Sequence, residues 1–330
     1  MSELILLQRL KRLLIYLFLF IPLSVTAQGE RGDLPGDWPI DWQAPFFKHH
    51  ELVGKLWDSH KNAFISVKQF HDELIHYDYV LLGETHNHPD HHRLQASVIN
   101  HLSEENLTPS VVMEMLSQQS WRDQPQKWHA LPALQSRASE LNKGWPWELY
   151  EPVLQTVVQH QLKLYAGNID RGDLQRWSDA QQDFVEHDVI REYAYSPENY
   201  QALRNNIVSS HCGYGGEAFV SSMSRAQMQR DRIMTESLVD KPRPVVFLAG
   251  SGHVRNDYAV PMQLRRKFQQ FSYLSVAFIS VQEGELDPKA YLQNGKAIYD
   301  IIYFTPSHTN QDPCDEFRKQ LKKMHHRQTP

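Results

Sequence analysis

Six short apolar runs separated by helix-patterned stretches constrain this chain more than any other feature. The runs are YVLLG (79–83), SVVMEM (110–115), LKLYAGN (162–168), PVVFLAG (244–250), YLSVAFISV (273–281) and AIYDIIYFTP (297–306). Most are apolar at successive positions rather than at alternate ones, the mark of strands covered on both faces. Helical patterns lie between most of them, around 89–105, 147–161 and 257–270, with a long block across 180–239. This alternation predicts an α/β fold, a mostly parallel central sheet flanked by helices. The mostly polar stretch at about 171–240 reads as a helical insertion or lid over that sheet.

The 330 residues, 41% hydrophobic and 22% charged, suffice for a substantial core. No fixed-period repeat interrupts the pattern. Residues 1–27 read as a signal peptide: basic Arg9, Lys11 and Arg12, the apolar LLIYLFLFIPLSVTA, then small residues ending at Ala27. Its apolar run is short for a membrane span of about 20 residues. Residues 28–45 are rich in Gly, Pro and Asp and read as a linker, residues 46–308 as one domain, and 309–330 as a C-terminal tail. Cleavage takes the formal net charge from −5 to −7, because three basic residues and one acidic residue leave. That balance argues against nucleic acid or an anionic membrane as the main partner. The two cysteines, Cys212 and Cys314, permit a disulfide in an oxidising compartment, although the sequence does not place them together.

Open α/β sheets bind ligands at the carboxyl ends of their strands. The residues at the carboxyl end of each run are therefore the test of function. Glu84 and His86 come after the first run, and Glu114 lies inside the second. Asn168 and Asp170 close the third, and Ser251 and His253 come after the fourth. Two ends share one form, an apolar run and then Gly-x-x-His. A carboxylate inside an apolar strand must be paired, coordinated or severely desolvated. Glu84, His86, Glu114 and His253 thus make a candidate site of two carboxylates and two imidazoles. Such a set suits a divalent transition metal or the iron of a cofactor.

Other motifs are less specific. The cluster around His86 contains His88, His91 and His92. Pro89 opens a helix on which His91 leans toward the sheet, while His88 and His92 are expected on a solvated helix start. HCGYGGE (211–217) places His211, Cys212 and Tyr214 before a helix. On that helix Gln227 and Asp231, with Arg230 beside them, read as an ordinary charged face. GWPWELYEP (144–152) offers Tyr150 either as core packing or as a phenolate ligand for ferric iron.

Together, GETHNHPDHHRLQ, VVMEM, WELYEP, GNIDR, HCGYGGE and LAGSGHVRNDYAVP resemble the ChaN-like haem-binding proteins, from about residue 45 to about 305. That family sits in a wider superfamily with TIKI, TraB and erythromycin-esterase-like enzymes. The resemblance implies an exported, periplasmic or outer-membrane protein that binds haem in connection with iron uptake. It also implies a homodimer around the cofactor and an envelope transport partner. By this likeness Glu84, His86, His211 and His253 are expected site residues, with Tyr150 and Tyr214 as further axial candidates. Two departures stand out: no cysteine comes after the apolar leader to carry a lipid anchor, and Tyr214 stands where HCGH is expected. The superfamily's enzymes suggest an alternative, a metal-dependent hydrolase. There His86, His253 and a carboxylate hold the metal, and Glu84 or Glu114 is the general base to a bound water.

Overall fold

The computed structural model describes residues 41–124, 126–179, 186–312, 314–315 and 317–319. The stretch read as an export signal, most of the stretch read as a linker and the end of the tail lie outside the described residues.

Among the described residues eight strands form one sheet in the order β2-β1-β8-β7-β3-β6-β4-β5. They are β1 (Leu56–Asp58), β2 (Ala63–Ile65), β3 (Tyr79–Glu84), β4 (Ser110–Ser117), β5 (Lys163–Asn168), β6 (Val245–Gly250), β7 (Tyr273–Ser280) and β8 (Ile301–Thr305). The six strands from β8 to β5 are all parallel, and β1 pairs antiparallel with β8 and β2. The sheet is therefore mostly parallel, as the apolar runs require. The β1–β2 edge is the part the runs do not announce, because each strand has only three residues.

Strand periodicity resolves the continuous apolar runs into two faces. Val80, Leu82, Val111, Met113, Val246 and Leu248 join one core cluster, against Leu94, Val98 and Leu154 of the flanking helices. Tyr79, Leu81, Val112, Val245 and Phe247 join a second cluster, against Met234, Leu238, Val260 and Leu264. The helix Pro89–Glu104 after β3 covers the first face. The helix Ala259–Lys267 after β6 covers the second. β3 and β6 are neighbours whose chains leave to opposite sides, so a crevice opens between their carboxyl ends.

The stretch expected as an insertion forms helices Arg171–Asp179, Glu186–Tyr193, Pro197–Ser210 and Glu217–Val239. Tyr193, Tyr200, Leu203, Val220, Met228 and Met262 give it an apolar cluster of its own. The long Glu217–Val239 helix ends in Met234 and Leu238, buried against the sheet. Cys212 and Cys314 are joined in a disulfide, with Cα atoms 5.5 Å apart. At the other end, the last residues of the stretch read as a linker are docked. Ala44 is buried, and the amides of Gln43 and Ala44 donate to the Asp90 carboxylate at 2.9 Å each.

Candidate functional site

The two Gly-x-x-His motifs fit each other. A methyl group on Gly83 would stand 2.5 Å from Val254 Cγ2 and 2.9 Å from the Ser251 backbone, in the turn after β6. A methyl group on Gly250 would stand 3.0 Å from His86 Nε2, in the turn after β3. Each glycine thus leaves room for the turn after the neighbouring strand, and the paired register of Glu84 with Gly250 sets them side by side.

Strand parity places Glu84 with Val80 and Leu82 on the first face of the sheet, and Glu114 with Val112 on the second. Glu84 is almost completely buried and accepts from both sides. The Tyr150 hydroxyl donates to Oε1 at 2.5 Å and His86 Nδ1 at 2.8 Å, while Gln95 Nε2 donates to Oε2 at 2.6 Å. His92 Nδ1 stands 3.3 Å from Oε2, and its Nε2 donates to the His86 carbonyl at 3.0 Å. Burial pushes the Glu84 carboxyl up, but His92 and His86 outweigh it and hold the group well below the usual range. Burial lowers His92 while Glu84 raises it, and the balance is upward.

Glu114, on the other face, accepts from the Gly250 amide at 2.7 Å. Its oxygens stand 3.8 Å from His86 Nε2 and 3.4 Å from His253 Nε2. Burial opposes ionisation, yet these imidazoles bring it down to about 2. His253 Nδ1 donates to Asp231 at 2.6 Å, and the Gln227 carboxamide lies 3.0 Å from the same nitrogen. Burial lowers His253, but Glu114 and Asp231 raise it to about 10. Burial raises the Asp231 carboxyl itself. The result is a chain of alternating acid and imidazole, Glu84–His86–Glu114–His253–Asp231, that crosses the sheet at its carboxyl end.

A cavity of about 580 Å³ opens above this chain, lined by His86, Trp145, Pro146, Gln227, Ser251, His253 and Tyr299 among others. The His86 side chain is 35% exposed there and His253 only 8%, so His86 is the more accessible imidazole. Trp145 meets the His86 ring edge-on, with centroids 4.7 Å apart.

Several expectations change. His88 and His92 are fully buried rather than solvated. His88 caps the helix Pro89–Glu104 by accepting from the Asp90 amide, and its Nε2 donates to the Pro306 carbonyl at 2.9 Å. Burial lowers it to about 4, which keeps it neutral. His91 faces the sheet as expected, but accepts from the Thr85 amide and contacts Thr305. Tyr150 is buried beneath Glu84 and does not line the cavity. Burial and the neighbouring Glu84 charge raise its pKa. Its place is that of a support for Glu84. His211 caps the helix Pro197–Ser210, donating from Nδ1 to the Ile207 carbonyl at 2.8 Å. Tyr214 is 46% exposed against Phe219 and Phe317. Both lie outside the acid–imidazole chain, one to four residues beyond Ser210 on the cavity wall.

Glu84, His86, Glu114 and His253 do come together, but not as a metal cage. Among the described residues no group of three or more His, Cys, Asp or Glu is arranged to hold a metal ion. Both imidazoles sit between carboxylates, His86 between Glu84 and Glu114 and His253 between Glu114 and Asp231. The alternative of a divalent metal at these four residues is not supported by this arrangement. The residues missed in the sequence are Gln95, Asp231 and Gln227. The i, i+4 spacing of Gln227 and Asp231 is their one signal, and it is common on charged helix faces.

A mostly parallel α/β sheet with helices on both faces, and with buried acid–imidazole pairs below an open cavity, defines an α/β protein whose strand-end crevice is the candidate site. Within that class, the profile described as haem-binding uptake, Tiki superfamily, ChaN matches residues 70–264, and the chain belongs to this family. Among solved structures it is similar to one described as cofacial haem binding to ChaN of Campylobacter jejuni. The identity is 23%, the TM-score 0.61, and 75% of this chain and 95% of that chain are covered. A mutant erythromycin esterase (14% identity, TM-score 0.39, 64% and 72% covered) and a Bacillus cereus protein (11%, 0.39, 66% and 69%) are more distant. No curated protein is matched.

Proposed function

We propose that this chain is an exported haem-binding protein that takes up, stores or hands on haem in the bacterial cell envelope. The observation that carries the reading is the pose of His86. Its Nδ1 is hydrogen-bonded to the buried Glu84 carboxylate, its Nε2 stands 3.8 Å from Glu114, and the residue lines the cavity. This carboxylate–imidazole arrangement fixes the tautomer and makes Nε2 the more basic donor, as in imidazoles that ligate metals. The residues fit haem iron in that respect. Gly250 leaves the space that His86 occupies, and Trp145, Pro146 and Tyr299 give the cavity flat apolar walls. Bound there, haem iron would supply a Lewis-acid centre, and His86 is the residue that would hold it. Tyr150, Gln95 and His92 hold Glu84, Glu84 holds His86, and His253 with Asp231 balances the charge on Glu114.

The disulfide supports export, because such bonds persist in oxidising compartments. Among the described residues no helix is long and apolar enough to cross a membrane. The Campylobacter relative is described as binding haem cofacially, and a pair of copies sharing the cofactor is the corresponding assembly here.

The experiment is a hemin titration of wild type, His86→Ala and Tyr214→Phe, read at the Soret band, with size-exclusion chromatography at saturation. Wild type should show a saturable shift, and His86→Ala should weaken it by tenfold or more. If Tyr214→Phe alone abolishes the shift, the iron site lies on the exposed Tyr214 loop instead.

A further inference from the structure

The chain's two cysteines join parts of the fold that lie 102 residues apart in sequence. Cys212 sits in the corner between the helices Pro197–Ser210 and Glu217–Val239. Cys314 sits in the tail that leaves β8. The base of that tail is fixed to the body of the protein. Pro306 accepts from His88, and Ser307 and Phe46 exchange backbone hydrogen bonds at 2.9 and 3.0 Å. The disulfide therefore ties the helical insertion to the sheet through a short strap.

The corner is a demanding piece of backbone. Cys212, Gly213 and Gly215 all have positive φ, at 56°, 71° and 88°. Cys212 carries a side chain into a region that side chains disfavour. Local bonds close the turn, from the Gly213 amide to the Val208 carbonyl and from the Tyr214 amide to the His211 carbonyl, each at 2.8 Å. From the strap, the Phe317 ring packs edge-on against His211 and Tyr214, with centroids 5.7 and 6.0 Å away. The same corner carries part of the cavity wall: Asn206 and Ser210 lead into it, and both line the cavity at His86. Both cysteines are half-buried rather than sealed in the core. A partly exposed disulfide is open to attack by a thiolate, and such bonds are the labile ones.

We propose that Cys212–Cys314 is a site of thiol–disulfide exchange with a protein dithiol, and that the bond latches the wall of the ligand cavity. A thiolate of the dithiol attacks one sulfur, the Cys212–Cys314 bond breaks, and the other cysteine leaves as a thiolate and takes a proton. The second thiol of the reductant then displaces the mixed disulfide. Two electrons and two protons pass to this chain, which ends with two thiols, and the reductant ends with one disulfide. Released from the strap, the corner keeps only its own turn bonds and helix packing, and the wall at Asn206 and Ser210 loosens. That the ligand released is haem rests on the reading above; the latch rests on the corner and the strap.

Hydrogen exchange reads the latch without any ligand. Full-length wild type, oxidised or reduced with thioredoxin, is compared with the Cys212→Ser/Cys314→Ser double variant, well below the melting temperature. Reduced thioredoxin should open the bond in the folded protein, read as two new titratable thiols. Reduced wild type and the double variant should then both lose protection by about tenfold or more across 203–217, with β3, β6 and β7 unchanged. Hemin transfer to excess apomyoglobin should be about tenfold faster from the double variant than from oxidised wild type. The double variant needs no reductant, so its transfer rate is free of any reduction of the iron. A disulfide that resists thioredoxin in the folded protein would overturn the exchange site. Protection unchanged on reduction, or lost alike throughout the sheet, would overturn the latch, the second because the bond would then be a general staple. If wild type fails to bind hemin, the haem reading falls, while the exchange pattern still decides the latch.

Discussion

Replacing Glu84 with glutamine keeps the shape of the side chain and removes its charge, which makes it a sharp probe of the buried chain. The carboxylate is surrounded by Tyr150 Oη, His86 Nδ1, Gln95 Nε2 and His92 Nδ1, at 2.5, 2.8, 2.6 and 3.3 Å. An amide offers one acceptor oxygen and two new donors, so the NH2 group must face donors on one side. His86 and His92 also lose the charge that raises their pKa values. Removing one partner of a buried ion pair costs about 3–5 kcal/mol, because the remaining charge is left without compensation. At roughly 2 °C per kcal/mol for a domain of this size, Glu84→Gln should melt on the order of 6–10 °C lower. Thermal unfolding by circular dichroism near neutral pH measures this, with the exposed Glu51→Gln as control. A Glu84→Gln melting point within about 2 °C of wild type would refute the claim that this carboxylate carries charge into the core.

The same geometry sets further expectations. His253, raised to about 10, contributes stability that is complete below its unfolded value near 6.5 and is lost as pH rises through about 10. The stability difference between wild type and His253→Gln, measured by urea denaturation, should therefore be larger near pH 6 than near pH 10, and a flat difference would contradict the ion pair. Gly83→Ala drives a methyl group into Val254 and the Ser251 backbone and should cost about 1–3 kcal/mol in the same assay. Gly250→Ala crowds His86 and should weaken hemin binding more than it lowers the melting point. The purified protein should show no titratable thiol before reduction. Reduction should lower its stability by about 2–5 kcal/mol, toward the upper end for so long a closed loop.

The sheet is legible in the sequence because its central strands are buried on both faces and therefore apolar throughout. β1 and β2 are not, since three-residue edge strands carry no periodicity. Glu84, His86, Glu114 and His253 are legible as strand-end polar residues, and Glu114 most of all, as a carboxylate in an apolar run. His92 is misjudged from sequence because its partner Glu84 belongs to another element, and a helix start rich in polar residues is usually solvated. Asp231 lies 22 residues from His253, on a helix whose spacing fits solvent exposure equally well. His88 and His91 show the converse: neighbours of site residues in sequence, they are neutral and hold the loop against Pro306 and Thr305. The four clustered histidines thus divide by partner, two to carboxylate and two to backbone or hydroxyl.

The central claim is that Glu84 presents His86 to haem iron above the carboxyl ends of β3 and β6. The most direct measurement is the absorption spectrum of the purified protein titrated with hemin, beside His86→Ala. The account predicts a saturable Soret shift in wild type that His86→Ala weakens at least tenfold. A wild-type spectrum indistinguishable from free hemin, or a His86→Ala spectrum identical to wild type, would contradict it.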